Sequence, residues 1–331
     1  MRHAKESMRE KMIDVLCIGI GCIDILAAGF EKEDFLKTEK ETYRINQVKL
    51  EIGGDAANEA VILSKLENRV KIICAAGNDT FGDILKERLF ENKVDISGIK
   101  TYKDANTSVA MVLISKNGER SFVSPRTNLM IPYTLEKKDI LPAKVVSLAS
   151  IGSVPFRNSD SITLAAKTAK QQGSIVCADI ICSDWLDSIE KIKEALPYID
   201  FIFPNMEEAQ KLIKNKEIEK IWNAFLESGV KNVVIKTGKD GCILKNRKEM
   251  YLSEGRKNIP VMDTTGAGDN FAAGFISALI EGKDPKECCD YANLVAAISV
   301  TEVGATKGVK SKKQVEEYLG AKLLEEPSTD P

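Results

Sequence analysis

The most constraining feature of the chain is an alternation of short apolar runs with longer segments of helical periodicity. Each run has the length of a strand, and each intervening segment repeats its apolar residues at the spacing of a helix. The apolar runs lie at residues 15–20, 70–75, 145–149, 175–178, 201–203 and 233–236, and the helical segments include residues 56–66, 81–91 and 162–171. This order is typical of β-α-β units, so the sequence predicts an α/β fold with a mainly parallel sheet flanked by helices.

Two stretches interrupt that order, at residues 30–52 and 107–123. In the second, two apolar runs flank Lys116-Asn117-Gly118-Glu119, which predicts a strand, a turn and a strand. We expect both stretches to form one small β lid that excludes water from the main sheet, and a surface hairpin is the alternative. The predicted organisation is a core of residues 13–29, 53–104 and 132–320, a lid of residues 30–52 and 105–131, and tails of residues 1–12 and 321–331.

Composition narrows the class of protein. The chain has 331 residues, 44% of them hydrophobic, and a formal charge of −2. It therefore lacks the basic excess that recruits nucleic acid or a membrane surface. Its apolar stretches are too short to span a bilayer and its first residues contain no signal core, so we expect a cytoplasmic protein.

Two residue types restrict the chemistry. The eight cysteines lack paired metal-binding spacing and lie mostly in apolar segments, which predicts buried thiols instead of disulfides or zinc ligands. The single histidine, His3, lies in the predicted tail. Carboxylates are therefore the candidates for acid–base catalysis.

A glycine-rich turn at residues 263–271 reads Asp-Thr-Thr-Gly-Ala-Gly-Asp-Asn-Phe and opens a segment of helical periodicity. Free amides at the start of a helix can hold an anion, so the amides of Gly266, Ala267 and Gly268 form a candidate anion hole. No lysine follows the turn as it does in a P-loop, and Asp269 stands there instead. This combination suits phosphoryl transfer with Asp269 as the base; the alternative is a tight turn with Asp269 as a helix cap.

Further polar residues follow the predicted strands, where open parallel sheets bind ligands. Asp24, Asp179, Asn205 and Glu208 stand in such positions, although each could cap the next element. A pair of glycines precedes a helix that starts near Asp55, and together these residues suit a polyhydroxyl compound. The candidate set for that ligand is Asp24, Gly53, Gly54, Asp55 and Asn58. Gly19 and Gly21 match a dinucleotide-binding pattern only in part, because Asp24 replaces its third glycine.

These motifs, in this order, resemble the ribokinase-like (pfkB) carbohydrate kinase family over residues 14–307. Residues 263–271 are similar to the C-terminal signature of the family, and residues 53–60 are similar to the N-terminal one. The resemblance implies a three-layer core with a small β lid. It also implies that Asp269 is the base, that Gly266, Ala267 and Gly268 form the anion hole, and that Asp24, Gly54 and Asn58 bind sugar hydroxyls.

The same resemblance implies which residues bind ATP and its metal ions. Asn205 and Glu208 match a segment that places Mg²⁺ through its waters near the ATP phosphates. Residues Thr237, Gly238 and Gly241 resemble the nucleotide loop, and Asn293 lies in a segment that resembles the adenine-closing one. Asp263, Thr265 and Gly304 are implied as ligands of K⁺. In the family the lid often forms a dimer interface, which implies a homodimer.

Departures from the family pattern leave the acceptor open. Residues 179–183 read Asp-Ile-Ile-Cys-Ser where fructokinase-like and ketodeoxygluconate kinase-like members carry Asp-x-Asn-x-Arg, and Asp55 stands where ribokinases favour lysine. Arg126, in the lid, is a candidate contact for an acidic or phosphorylated acceptor. We expect a free sugar or polyol as acceptor, and the alternatives are a nucleoside or a catalytically silent regulator.

Overall fold

The computed structural model describes residues 13–30, 45–115, 120–123 and 131–323. The main sheet has eight strands in the order β14-β13-β12-β11-β10-β9-β1-β4. Its strands are β1 (Ile13–Ile18), β4 (Val70–Ile73), β9 (Ala143–Ile151), β10 (Ile175–Ile180), β11 (Phe201–Ile202), β12 (Asn232–Lys236), β13 (Gly241–Asn246) and β14 (Met250–Glu254). The six strands from β4 to β12 pair in parallel, and β13 and β14 extend the edge antiparallel. The mainly parallel sheet expected from the sequence is confirmed.

The helices of the described residues follow the strands along the chain. They are α1 (Asp55–Lys65), α2 (Thr80–Glu91), α3 (Ser159–Gln171), α4 (Met206–Ile213), α5 (Ile218–Glu227), α6 (Ala267–Ile280), α7 (Pro285–Ser299) and α8 (Lys312–Leu323). The three helical segments expected from periodicity coincide with α1, α2 and α3 to within a few residues. Side-chain caps explain two of these starts, since Asp79 and Asn158 accept backbone N–H bonds in the first turns of α2 and α3.

Both faces of the sheet are buried, which makes the core a three-layer structure. Along β1, Val15 and Cys17 belong to the buried cluster that includes side chains of α1, α6 and α7, whereas Leu16 and Ile18 belong to the cluster that includes side chains of α3, α4 and α5. A strand buried on both faces reads as a continuous apolar run because its side chains alternate between two cores. This is why the sheet strands stand out in the sequence.

A separate four-stranded sheet has the order β3-β2-β7-β8. Its strands are β2 (Cys22–Phe30), β3 (Gln47–Gly53), β7 (Val109–Ser115) and β8 (Arg120–Val123). We call the face of this sheet that carries Asp24 and Leu26 its inner face. Leu26 packs there with Val112, Ile114 and Val303. The expected strand pair at 107–123 is confirmed as β7 and β8. Residues 22–29, which the sequence analysis placed in the core, form β2 of this small sheet.

Two further strands, β5 (Ala75–Gly77) and β6 (Lys100–Tyr102), pair in parallel beside the main sheet. The predicted tails at 1–12 and most of 321–331, and parts of the predicted lid at 31–44, 116–119 and 124–130, lie outside the described residues. Of the helices in the described ranges, none combines the length and apolar character needed to cross a membrane. All eight cysteines are free thiols, and seven of them are buried.

Candidate active site

The glycine-rich turn forms the start of α6, as its sequence predicted. Gly266 is the N-cap residue at φ 72, in the left-handed region that favours glycine. A Cβ at this position would lie 2.6 Å from Cβ of Ala305, so the turn has no space for a larger residue. Nδ2 of Asn270 donates to the carbonyl oxygens of Gly266 and Ala305 at 2.8 and 2.7 Å, which fixes the turn against the next loop.

Helix α6 is held on the sheet by aromatic contacts. The ring centroid of Phe275 lies 5.0 Å from those of Phe201 and Phe203, and the ring of Phe271 lies 6.3 Å from Phe203. Both phenylalanines of the helix are buried. Burial of each such ring contributes about 1.5–3 kcal/mol. These contacts hold α6 against β11 and the residue that follows it.

Asp269 is the third residue of α6, inside the first turn. Its Oδ2 accepts a 2.7 Å hydrogen bond from Nδ2 of Asn58 on α1. Burial and the charge of Asp179 raise the pKa of Asp269, Asn58 and Lys236 lower it, and the balance leaves this pKa at about 7. A carboxyl group with a pKa near neutrality can accept a proton during turnover.

The capping alternative for Asp269 does not describe the structure. Gly266 occupies the N-cap position, and this position has no side-chain cap hydrogen bond. The amide of Ala267 donates to the carbonyl of Thr264 at 3.2 Å, within the turn. Of the predicted anion-hole amides, that of Ala267 is therefore already used in the fold.

An ion pair lies beside this turn. Nζ of Lys236, at the end of β12, lies 2.6 Å from Oδ2 of Asp179 on β10. A Cβ built on Gly268 would lie 3.3 Å from the same Nζ, so the ammonium group faces the start of α6. Burial lowers the pKa of Lys236, but the charges of Asp179 and Glu208 outweigh it and hold that pKa above its ordinary value. The side chain is therefore a cation at neutral pH.

Asn205 and Glu208 form a reciprocal cap at the start of α4. The amide of Asn205 donates to Oε2 of Glu208, and the amide of Glu208 donates to Oδ1 of Asn205, both at 2.8 Å. This is a capping box, so the capping alternative describes these residues correctly. Burial, followed by the charge of Asp179, raises the pKa of Glu208 to about 7. Glu208 therefore combines a structural role with a position in the cavity wall.

One cavity of 1020 Å³ brings these groups together at the carboxyl ends of β10, β11 and β12. Its polar lining includes Asp55, Asp179, Asn205, Glu208, Lys236, Ala267, Gly268 and Asp269. Its lining also includes apolar side chains, among them Ile181, Ala296 and Val300. A ligand with a flat apolar part and a charged part fits such a mixed lining.

Of the predicted nucleotide residues, Asn205, Gly238, Gly241 and Asn293 line the same cavity, and Thr237 directly precedes Gly238. Gly238 and Gly241, which line it, have φ 67 and φ 101, so both need the conformational freedom of glycine. The hydroxyl of Thr237 is buried without a hydrogen-bond partner among the described residues. Asn293 also lines the cavity, but its Nδ2 donates to the carbonyl and hydroxyl oxygens of Ser253 at 3.0 and 2.8 Å.

The predicted acceptor residues lie where the small sheet meets α1. Asp24 is 8% exposed on the inner face of the small sheet, and burial raises its pKa to about 6. A Cβ on Gly53 would collide with the carboxylate of Asp24, and a Cβ on Gly54 would lie 2.7 Å from the carbonyl oxygen of Ile20. The two glycines therefore permit a close approach of the strands around Asp24.

Asn58 and Asp55, on α1, also belong to the predicted acceptor site. Nδ2 of Asn58 is used by Asp269, and its Oδ1 is buried without a partner among the described residues. Asp55, the first residue of α1, lies 3.5 Å from Oγ of Ser150. Arg126, the remaining predicted acceptor contact, lies outside the described residues.

The three residues predicted around K⁺ lie together in the structure. Oδ1 of Asp263 accepts from the amide of Thr265 at 2.6 Å, and Oδ2 accepts from the amide of Gly304 at 2.7 Å. The carboxylate is 2% exposed. These bonds connect the turn before α6 to the loop after α7.

Lys236 was absent from the predicted site residues, and Asp179 was noted only as a polar residue after a strand. Their positions after two strands of a parallel sheet were the available signal, because such ends converge at one edge. Their separation of 57 residues conceals the pairing in the sequence.

The fold and the cavity define the chain as an α/β enzyme with its site at the carboxyl edge of a parallel sheet. Residues 12–312 match the pfkB family of carbohydrate kinases, and the chain belongs to that family. It is therefore a carbohydrate kinase with phosphotransferase activity, and the family resemblance found in the sequence is confirmed.

Two curated relatives illustrate the range of acceptors in this family. An ATP-dependent 6-phosphofructokinase from Thermoanaerobacterium thermosaccharolyticum is 30% identical over 304 residues, which cover 89% of this chain and 90% of the relative. A ribokinase from Haemophilus influenzae is 27% identical over 286 residues, which cover 84% of this chain and 90% of the relative. The first name specifies a phosphorylated sugar and the second a free sugar.

Solved structures agree with the fold. The structure of Arabidopsis thaliana ribokinase complexed with ribose and ATP has a TM-score of 0.79 and 25% identity, covering 93% of this chain and 99% of that one. A ribokinase-II-like protein from E. coli in complex with ATP and Mg²⁺ has a TM-score of 0.80 and 25% identity, covering 94% of this chain and 100% of that one. The three-layer architecture predicted from the sequence is confirmed.

Proposed function

We propose that this kinase transfers the γ-phosphate of ATP to a hydroxyl of a free sugar or a related polyol, with Asp269 as the general base. The observation that carries the proposal is the 2.7 Å bond from Asn58 to Asp269, which fixes the carboxylate in the first turn of α6 beside the cavity. The sequence and the geometry thus support the same residue for the same role.

In the proposed step, the acceptor oxygen attacks the γ-phosphorus while the bond to the bridging oxygen of ADP breaks. Asp269 accepts the proton of the hydroxyl, so its carboxylate must be ionised before the step. The amides of Gly266 and Gly268 and the positive end of α6 would stabilise the oxygens of the transferring group. The amide of Ala267 would take part only by giving up its 3.2 Å bond to Thr264.

The acceptor would lie between Asp269 and the inner face of the small sheet. Asp24 offers carboxylate oxygens, and Oδ1 of Asn58 is a buried acceptor without a partner among the described residues. Both suit the hydroxyl groups of a polyol, which donate hydrogen bonds. Asp55 and the backbone at Gly53 and Gly54 are proposed to complete this site. Over it the small sheet would act as the lid.

ATP fits the mixed polar and apolar lining of the cavity. The apolar wall of Ala296, Ala297 and Val300 suits a flat base, and the glycines at 238 and 241 leave the backbone accessible. Thr237 and Asn293 are proposed as additional nucleotide contacts. Thr237 directly precedes Gly238 of the cavity wall, and its buried hydroxyl has no hydrogen-bond partner among the described residues.

Mg²⁺ fits Glu208 as a ligand held through water. In the described part of the chain, no group of three or more histidine, cysteine or acidic side chains is placed to hold a metal directly. Mg²⁺ commonly keeps several waters and binds one or two carboxylates together with substrate phosphates. When bound, the ion would neutralise charge on the phosphates, while Asn205 holds Glu208 in place through the capping box.

We also propose K⁺ near Asp263, Thr265 and Gly304. The buried hydroxyl of Thr265 has no partner among the described residues, and the carboxylate of Asp263 is buried beside it. Negative charge and unsatisfied oxygen atoms are what a monovalent cation needs. The cation would order the loop after α7 against the turn that starts α6.

A homodimer through the small sheet is the proposed assembly. On its outer face, Val48, Met111 and Val123 are 57%, 42% and 55% exposed, and Met111 pairs directly with Val123 across β7 and β8. Exposed apolar patches of this kind often mark interfaces. Met111→Lys would shift the molar mass measured by light scattering from dimer to monomer, whereas an unchanged mass would reject this interface.

The function is tested with a panel of free sugars, polyols, sugar phosphates and nucleosides, assayed for Mg²⁺-dependent ADP formation with and without K⁺. We expect a free sugar or polyol to give the highest kcat/KM. A nucleoside or a sugar phosphate as the preferred acceptor would overturn the proposed substrate class. Absence of ADP formation with every acceptor would support a silent regulator.

A further inference from the structure

We infer that Lys236 is a second catalytic residue, which contacts the transferring phosphoryl group, and that Asp179 is the positioning residue that holds it there. The inference rests on the proposed function and adds a cation to the reaction centre. In the step, Lys236 keeps its proton and donates hydrogen bonds to the γ-phosphoryl oxygens. The proton of the acceptor hydroxyl still passes to Asp269.

The first argument is the position of the ammonium group. Lys236 ends β12, Asp179 lies on β10, and β11 pairs between these two strands. Nζ of Lys236 lies 2.6 Å from Asp179 and 3.3 Å from the Cβ position of Gly268. The ammonium group is therefore adjacent to the amides where the proposed step places the transferring phosphate.

The second argument is the charge of the surrounding wall. Asp55, Asp179, Glu208 and Asp269 line the same cavity as Lys236. In their ionised forms these carboxyl groups would repel the terminal phosphate of ATP from the position that transfer requires. The cavity is also lined by Lys239, Arg256 and Lys257, but Lys236 is the cation that pairs with Asp179 and lies next to Gly268, so it offsets the repulsion where the phosphate must lie.

The third argument is preorganisation. The side chains of Lys236 and Asp179 are 14% and 9% exposed, so the pair is shielded from water and retains its orientation. Charged donors fixed in a poorly hydrated site stabilise developing charge without reorganising. Lysine supplies phosphate with a compact point charge, and Asp179 prevents that charge from turning toward the other carboxylates.

A structural role is the alternative, in which Lys236 only neutralises Asp179 inside the fold. The chain provides a control in Lys231, which precedes β12, is 58% exposed and lies 2.6 Å from Asp200. Lys231→Met removes one of two lysine partners of this aspartate, because Lys170 also lies 2.7 Å from Asp200, outside the cavity. Lys236→Met removes the pair inside it and keeps the length of the side chain.

The test compares Lys236→Met, Lys236→Arg, Asp179→Asn and Lys231→Met. It measures kcat, KM, the thermal midpoint, and the Kd of ADP and of a non-hydrolysable ATP analogue. For Lys236→Met we expect kcat to fall about 10²–10³-fold, the usual loss for one donor to a developing oxyanion. The analogue should bind at least about tenfold more weakly while ADP binding changes little, since only the analogue carries a γ-phosphate.

The remaining variants complete the expected pattern. Lys236→Arg should recover part of the lost kcat, Asp179→Asn should lower kcat less than Lys236→Met, and Lys231→Met should match the unmodified enzyme. The inference would be overturned if Lys236→Met weakened the binding of ADP and of the analogue equally. A kcat of this variant within threefold of the unmodified enzyme would overturn it as well. If Lys236→Met does not fold, the Kd values of ADP and of the analogue are compared for Asp179→Asn instead. Selective weakening of analogue binding would support the inference, and equal weakening would overturn it.

Failure of this inference is distinguishable from failure of the proposed function. If the unmodified enzyme forms ADP and Asp269→Asn abolishes it, the proposed function stands whatever Lys236→Met shows. If the unmodified enzyme phosphorylates no sugar or polyol, the proposed function fails first.

Discussion

Nδ2 of Asn58 lies 2.7 Å from Oδ2 of Asp269, which joins two residues 211 positions apart in the chain. This bond connects α1, next to the acceptor side, to the first turn of α6. A hydrogen bond donated to a carboxylate favours its ionised form. Asn58 therefore holds the proposed base in position and keeps it available to accept a proton.

The first prediction concerns pH. Burial and the charges of Asp179 and Asp24 raise the pKa of Asp269, Asn58 and Lys236 lower it, and the net pKa is about 7. Because the base must be ionised, kcat/KM should fall as the pH drops below about 7 and level off above it. Asn58→Ala removes the donor, so the midpoint should move up by about one pH unit. If the midpoint of the pH–rate profile of this variant did not move, Asn58 would not affect the pKa of the proposed base.

The second prediction separates the two glycines of the turn. Gly266 has φ 72 and a Cβ there would lie 2.6 Å from Ala305, so Gly266→Ala should destabilise the fold by at least about 1–2 kcal/mol. Among the described residues, a Cβ on Gly268 would meet only Nζ of Lys236, at 3.3 Å. Gly268→Ala should therefore keep its thermal midpoint and lose about tenfold or more in kcat. Thermal unfolding and kinetics measured on both variants check the difference, and an equal loss of midpoint would contradict it.

The third prediction concerns the acceptor. Loss of a hydrogen bond to a charged group costs about 1.5–3 kcal/mol, so Asp24→Asn should raise the acceptor KM by about 10–100-fold. The KM for ATP should change little. Gly53→Ala should have a similar effect, because its Cβ would displace the carboxylate of Asp24. If neither variant changes the acceptor KM in saturating ATP, Asp24 does not bind the acceptor.

The fourth prediction concerns Mg²⁺. Glu208→Gln keeps an oxygen for the capping box with Asn205 but removes the negative charge. The Mg²⁺ concentration that gives half-maximal rate should therefore rise at least about tenfold without a large change in thermal midpoint. Glu207→Gln, at the exposed neighbouring position, is the control and should leave the requirement unchanged. Identical Mg²⁺ curves for both variants would exclude Glu208 as a ligand.

The sequence predicted the main sheet because its strands are buried on both faces. Runs such as residues 145–149 and 175–178 contain apolar residues at nearly every position, and they became β9 and β10. The sequence also located the start of α6, because Gly266 has a positive φ that glycine adopts far more readily than other residues. Both features are local, so a single chain displays them.

Features that depend on distant pairing were not predicted. Residues 22–29 follow β1 closely, and their apolar pattern suited the core as well as the small sheet, so only the register with β3 and β7 decides. Neither spacing nor composition indicates that Lys236 pairs with Asp179. The same holds for the hydrogen bond from the amide of Ala267 to the carbonyl oxygen of Thr264. Such contacts arise from how the strand ends and loops converge in space.

The most direct test of the account is the turnover of Asp269→Asn with the preferred acceptor. The substitution keeps the shape of the side chain and removes the oxygen that would accept the proton. The account predicts that kcat falls about 10²–10⁴-fold while both KM values stay within a few-fold of the unmodified enzyme. Near-full kcat in a correctly folded Asp269→Asn protein would contradict the central claim.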